Sequence, residues 1–208
     1  MTLVYTLAVV SVGVLLWLAD GVRRIGAVST GAPIGARTGT ALLLIDLQDI
    51  FWEDGPYGEA ATSAAERAIR SEIAAARERG DPVIALRQEW SIPSTRILAR
   101  LTMKGQAIAG TPGTQLAKPF VGLADHEVVK RVQDAFETGA LDDLLATLDV
   151  GRLRLVGLDF NHCVQKTALA ARNRGYEVTI VKPATLSVAP TQNAANRLSA
   201  RAVVLQEG

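Results

Sequence analysis

The chain has 208 residues, 49% hydrophobic and only 5% aromatic, with 22 Lys and Arg against 21 Asp and Glu for a net charge of +1. That length holds one sizeable core built mostly of Ala, Val, Leu and Ile, and the near-neutral balance without a large single-sign block argues against a nucleic-acid surface. A single cysteine excludes an internal disulfide framework and fits a reducing compartment, while two histidines, His126 and His162, leave little material for a metal site.

The first 20 residues differ in kind from the rest. Residues 1–19 carry no charged side chain and are dominated by Val, Leu and Ala, with Tyr5 and Trp17 near the ends. At about 1.5 Å per residue such a helix is just long enough to cross a hydrocarbon core. No basic n-region precedes the run and no small-x-small cleavage site directly follows it. Arg23 and Arg24 follow, and the positive-inside tendency keeps what comes after them in the cytoplasm. The expectation is a transmembrane anchor over residues 1–20 with a cytoplasmic domain. An uncleaved amphiphilic helix, a misassigned start and a cleaved export signal are the alternatives for the segment, and a soluble cytoplasmic protein is the alternative localisation. Residues 21–40, rich in Gly, Ser, Thr and Ala, read as a flexible linker, and residues 41–208 as the folded domain.

Residues 41–45, a continuous apolar run ending in Asp46, suit a strand buried on both faces. Residues 60–79, rich in Ala with Glu and Arg interspersed, read as a helix stopped at Gly80. Residues 82–86 are a second strand and 127–129 a third. Residues 152–157 are a fourth, followed by a tight turn at 158–162 and a helix from Cys163 to Asn173, stopped near Gly175. Residues 176–181, 191–199 and 202–205 give a fifth strand, a last helix and a sixth strand. Strands alternating with helices imply an α/β fold: an open, mainly parallel, Rossmann-like six-stranded sheet with helices on both faces, preceded by an N-terminal apolar helix. Between Trp90 and Asp125 the pattern breaks: residues 94–103 suit a short helix, and the Gly- and Pro-rich stretch 105–123 suits a lid, a substrate-facing wall or a solvated excursion.

In an open parallel sheet, ligands collect at the carboxyl ends of the strands. Asp46 ends the first strand, Lys130 follows the third and Cys163 follows the fourth. Each has a plain alternative: a turn or capping carboxylate, a surface charge, a small buried hydrophobe. Together they supply a thiol nucleophile, a carboxylate to move its proton and an ammonium to hold the charges. A thiol in the first turn of a helix also meets unpaired N–H groups and the positive end of the dipole, which favour thiolate.

Residues Leu44-Ile-Asp-Leu-Gln48 with Phe51, then Val129-Lys130 with Phe136 and Leu141, then Gly157, Cys163-Val164, Thr167, Ala168, Ala171 and Gly175-Tyr176, follow one family's pattern. Over residues 41 to about 205 the chain resembles the isochorismatase-like cysteine hydrolases, which include nicotinamidases and N-carbamoylsarcosine amidases. The resemblance implies a cofactor-free hydrolase of a small amide or ureide carbon–nitrogen bond. Asp46 would be the general base, Lys130 would lower the thiol pKa, and Cys163 would form a thioester. The backbone N–H groups of Asp159 and Cys163 would form the oxyanion hole, with a cis peptide between Leu158 and Asp159. It also implies a homo-oligomer.

Two departures stand out. The turn reads Asp159-Phe160-Asn161, with an acidic side chain at the oxyanion position, where an inward carboxylate would oppose developing negative charge. Residues 52–90 contain no histidine, so the metal site of nicotinamidases is not expected. For substrate contact the candidates are Phe51 and Trp52 after the first strand and Arg87, Gln88 and Trp90 after the second, against packing or surface pairing. His162 is assigned to the turn, and Gln165 and Lys166 to solvent or an oligomer interface. The rival to an amidohydrolase is a membrane-tethered protein that keeps the fold and binds a ligand or partner without turnover.

Overall fold

The computed structural model describes residues 2–207, so Met1 of the expected anchor and Gly208 of the expected domain lie outside the described residues. In chain order the elements are α1 (Thr2–Gly26), β1 (Gly39–Ile45), α2 (Asp49–Trp52), α3 (Glu59–Arg79), β2 (Val83–Gln88) and α4 (Pro93–Thr102). A 3-10 turn at Lys118–Phe120 precedes β3 (His126–Lys130), α5 (Ala140–Thr147) and β4 (Val150–Gly157). A π-helical turn (Phe160–Val164) runs into α6 (Gln165–Arg174), followed by β5 (Glu177–Thr185), α7 (Gln192–Ser199) and β6 (Val204–Gln206).

All six strands are parallel, in the order β3-β2-β1-β4-β5-β6. The period of two in β1 divides the core. Ala41, Leu43 and Ile45 join the cluster under α5, α6 and α7, whereas Leu42 and Leu44 join the one under α3. Helix α3 meets the sheet along Ala65, Ile69, Ile73 and Ala76, one face at helical spacing, and ends where Gly80 takes a left-handed φ of 72°. Each fully buried Ile or Leu on these faces contributes roughly 1.5–3 kcal/mol. The chain leaves β1 for β2 and β3 on one side and returns to β4 on the other, which makes the β1/β4 junction the point where strand order reverses.

Three sequence expectations change here. Cys163 lies in the π-helical turn before α6, not in the first turn of an α-helix. The segment expected to be a flexible linker is partly helical, because α1 continues to Gly26, and residues 27–38 lie along the domain. The Ser29 amide donates to Asp134 Oδ2 at 2.7 Å, Asn173 Nδ2 donates to the Ser29 carbonyl at 2.9 Å, and the Ile34 amide donates to the Arg174 carbonyl at 3.0 Å. Ile34 packs on the core beneath. Gln165, expected at a surface, is buried.

The junction itself is tight. Gly157 has φ +116°, and a Cβ there would meet the Ile45 carbonyl oxygen at 2.2 Å. Gly157→Ala is therefore expected to destabilise the fold by about 3 kcal/mol or more in chemical denaturation. Gly80→Ala, with positive φ but open space around it, should cost only about 1 kcal/mol.

Candidate active site

Three strand ends converge at the carboxyl edge. β1 delivers Asp46, β2 delivers Gln88 and β3 delivers Lys130, with Gln88 and Lys130 in register. In β3 the period of two buries Val128 and Lys130 and exposes Glu127 and Val129, so the ammonium points inward. Lys130 is fully buried and Asp46 is 2% exposed. Lys130 Nζ lies 3.1 Å from Asp46 Oδ2, and donates to Gln88 Oε1 at 2.6 Å, Cys163 Sγ at 3.2 Å and the Val132 carbonyl at 3.4 Å. Asp46 has φ 55°, an uncommon conformation for a residue with a Cβ, and its amide donates to the Leu86 carbonyl.

Gln48, two residues on, anchors this arrangement. Its Oε1 accepts from the Gln88 amide at 2.6 Å, and its Nε2 donates to the Gln88 and Thr114 carbonyls at 3.1 and 2.7 Å. The Asp46 carboxylate and the Cys163 thiol share the Lys130 ammonium. Oδ1 of Asp46 and Nε2 of Gln88 are the buried side-chain polar atoms without a geometrically regular partner among the described residues. Oδ1, the oxygen not held by Lys130, is thus available to the thiol proton.

Burial raises the pKa of Asp46, with Lys130 opposing it. Burial also raises that of Cys163, where Asp46 adds to the shift and Lys130 opposes it. For Lys130, burial pulls downward, but Asp46 and Cys163 outweigh it and the net shift is upward. The expectation that Lys130 leaves a low-pKa thiol is corrected: Cys163 is partly exposed toward a cleft, and yet removal of water and the adjacent carboxylate favour the protonated thiol.

The turn before Cys163 carries the expected cis peptide at Leu158–Asp159. The Asp159 side chain is turned into the loops around it. Its Oδ1 accepts from the Asn161 amide at 2.8 Å, and its Oδ2 accepts from the Val188 amide at 3.0 Å and the Tyr57 hydroxyl at 3.3 Å. Burial, with Asp159 beside it, pushes the Tyr57 phenol up, so it remains a donor. The amides of Phe160, His162 and Val164 donate to backbone carbonyls and that of Asn161 to Asp159. Asp159 and Cys163, the pair expected to offer backbone N–H groups to an oxyanion, both line the cleft beside the thiol.

A cleft of about 340 Å³ opens onto Cys163 and Asp46, within the range of small-molecule sites. Phe51, Gln88 and Trp90 line it as expected, and so do Tyr57, Met103, Gln106, Gln133, Leu158, His162 and Val188, which sequence reasoning did not single out as substrate contacts. Two candidates are elsewhere. Trp52 is buried edge-to-face on Phe120, with centroids 4.7 Å apart. Arg87 is engaged by Glu89 and Glu127, each at 2.9 Å, and by the Thr114 carbonyl. The stretch between Trp90 and Asp125 is a wall: Trp90 pairs with Ile108, and Met103 and Gln106 face the cleft. No group of three or more His, Cys, Asp or Glu side chains suited to a metal ion occurs among the described residues.

The sequence matches the family model for the isochorismatase domain over residues 40–206. A probable inactive nicotinamidase of Arabidopsis thaliana is 31% identical over 170 residues, 76% of this chain and 86% of that protein. An uncharacterised isochorismatase family protein of Bacillus subtilis is 28% identical over 147 residues, 70% and 72% of the two chains. Among solved structures, the pyrazinamidase/nicotinamidase of Streptococcus mutans superposes with a TM-score of 0.68 at 26% identity, covering 81% of this chain and all of that one. The N-carbamoylsarcosine amidase of Thermoplasma acidophilum gives 0.69 at 21% identity over 82% of this chain and 96% of that one, a likeness of fold.

The charge arrangement makes a prediction for the thiol. Alkylation of Cys163 by iodoacetamide should keep rising with pH beyond the ordinary thiol value of 9.0. In Asp46→Asn the neighbouring negative charge is gone while Lys130 remains, so the pKa falls and labelling at pH 7 becomes faster than in wild type. In Lys130→Met the sign reverses and labelling slows. A wild-type labelling curve that levels off below pH 8 would contradict this account.

Proposed function

The chain belongs to the isochorismatase family, and from that membership we propose that it is a cysteine amidohydrolase cleaving a small, uncharged amide through a thioester on Cys163. The observation that carries the reading is Lys130 Nζ in contact with both Asp46 Oδ2 and Cys163 Sγ, at 3.1 and 3.2 Å. When the thiol proton passes to Asp46, negative charge moves from one neighbour of the ammonium to the other, and the buried cluster keeps the same net charge. A raised resting thiol pKa is compatible with this, because the thiolate is needed only as attack occurs.

In the proposed sequence Sγ attacks the amide carbonyl carbon, and the Asp159 and Cys163 amides receive the oxyanion. Asp46 returns its proton to the departing nitrogen as the C–N bond breaks. Water, giving a proton to Asp46, then attacks the thioester; the acid leaves and the proton returns to sulfur. The described residues do not fit a metal site, and no step uses one.

The cleft lining favours a neutral, largely apolar acyl group. Phe51, Tyr57, Trp90, Met103, Leu158 and Val188 surround the thiol, and no Arg or Lys lines the cleft, Arg87 being paired elsewhere. A substrate carboxylate would have no cationic partner.

The same reading places the protein at a membrane. Residues Tyr5–Gly26 are long and apolar enough to cross one by length and composition. The side chains from Tyr5 to Trp17 whose surroundings are described are exposed, while Leu18, Gly21 and Ile25 are packed against the domain. On this reading the exposed apolar half of α1 enters the bilayer and its last two turns stay with the domain. The rival reading, a binding protein without turnover, is favoured by the Arabidopsis relative named as probably inactive.

Ammonia release from a panel of neutral aryl and alkyl amides and carbamoyl amino acids should favour the neutral amides, resist chelators, and fall at least about a thousandfold in Cys163→Ala. No release from any amide by folded protein that binds panel members would favour the rival. On fractionation, the full chain should stay in a carbonate-washed membrane pellet; recovery in the supernatant would leave a soluble protein.

A further inference from the structure

We infer that the last two turns of α1 are a positioning element of the active site, holding one wall of the cleft in place; this rests on reading the cleft as the site of hydrolysis. At Gly21 the backbone of α1 rests on side chains of α4: a Cβ there would lie 2.9 Å from both Leu98 Cδ1 and Ser94 Cβ. One turn on, Ile25 is buried in an apolar cluster with Trp90, Leu98, Ala99, Ala107 and Ile108. Leu18, Phe51 and Met103 pack against that cluster. At the end of the helix the Ile25 carbonyl accepts from the Gln133 amide at 3.2 Å.

Four residues reached by these contacts, Phe51, Trp90, Met103 and Gln133, line the cleft. They come from four separate stretches of chain, and α1 packs behind them. The family match begins at residue 40, so this support belongs to the chain's own N-terminal helix. Met103 and Gln106 sit in irregular backbone after α4, the kind of segment that opens locally at little cost unless something packs on it. The catalytic cluster, by contrast, is fixed by the sheet and by Gln48. Displacing α1 from α4 should loosen the wall and leave Asp46, Lys130 and Cys163 in place.

The test uses the full chain in neutral detergent micelles and its single cysteine, labelled with N-phenylmaleimide, a neutral aromatic reagent of cleft size. Gly21→Leu, which wedges the helices apart, and Ile25→Asp, which puts a carboxylate into the apolar cluster, should each speed Cys163 labelling roughly tenfold, as expected when a local opening becomes easier. Hydrogen exchange over residues 90–108 should rise with it. Where an amide substrate is turned over, KM should rise with little change in kcat. Ile25→Val should retain wild-type behaviour, as should Gly13→Leu, whose site has nothing within 4 Å. If Gly21→Leu or Ile25→Asp unfolds the domain, Ile25→Ala carries the comparison at an unchanged denaturation midpoint. Equal labelling and exchange in all variants would overturn the inference. Labelling that follows α1 in a protein without amidase activity would support the inference and strike the hydrolase reading instead.

Discussion

The complete burial of one ammonium group constrains everything at the carboxyl edge of this sheet. Removing a lysine from water costs several kcal/mol unless it is paired and its donors are satisfied. Lys130 meets that demand with Asp46, the Gln88 carboxamide and the Val132 carbonyl. Each partner is then fixed in turn. Gln48 clamps the backbone of Gln88 from below, and Asp46 is held in a left-handed conformation by the strand that ends at it. The thiol is the softest partner of the cluster and, with Asp46 and Gln88, lines the cleft. A buried network built this way specifies one geometry, because loss of any member strands a charge or an unpaired dipole.

The acidic residue in the turn before the nucleophile fits the same logic. A carboxylate aimed at the thiol would work against anionic intermediates, but the Asp159 side chain accepts from two amides and the Tyr57 hydroxyl. It joins the turn to the loop at Val188 and to the segment between α2 and α3. The residue that looked like an obstacle to catalysis is a structural brace between segments that line the cleft. Asn161 strengthens the brace by donating from its side chain to Ser187 Oγ at 2.8 Å.

How much of this was legible in the sequence follows the range of the interactions involved. Short, mostly apolar or β-branched segments alternating with helical stretches mark all six strands and imply a parallel sheet, most clearly at residues 41–45, because a strand buried on both faces needs continuous hydrophobicity. Asp46, Lys130 and Cys163 could be named because strand ends bring distant residues to one edge. Side-chain direction within a pair was not legible. Phe51 and Trp52 are neighbours, yet one lines the cleft and the other packs under Phe120; Arg87 and Gln88 alternate across β2, so only Gln88 reaches Lys130. Tyr57, Gln133 and Val188 lie in irregular segments whose paths are set by tertiary hydrogen bonds, so no local pattern marks them. The state of the thiol was misjudged for a related reason: a helix N-terminus is visible in sequence, whereas desolvation and the exact neighbour of the sulfur are not.

The N-terminal helix is not a free tether of the domain. A flexible linker would let the domain turn freely on its tether, and the cleft would meet substrate in any orientation. Here the helix runs unbroken from its exposed apolar half into contact with α4, and the segment after it is pinned at Ser29 and Ile34. Rotation of the domain about α1 would have to break the close approach at Gly21 and strip Ile25 from its cluster. If the apolar half lies in lipid, the bilayer therefore fixes the orientation of the cleft through packed helices. The cleft wall nearest to α1 carries two aromatic side chains, Phe51 and Trp90. On the proposed amidase reading, the helix would then support the wall that a substrate's acyl group meets as it enters the cleft.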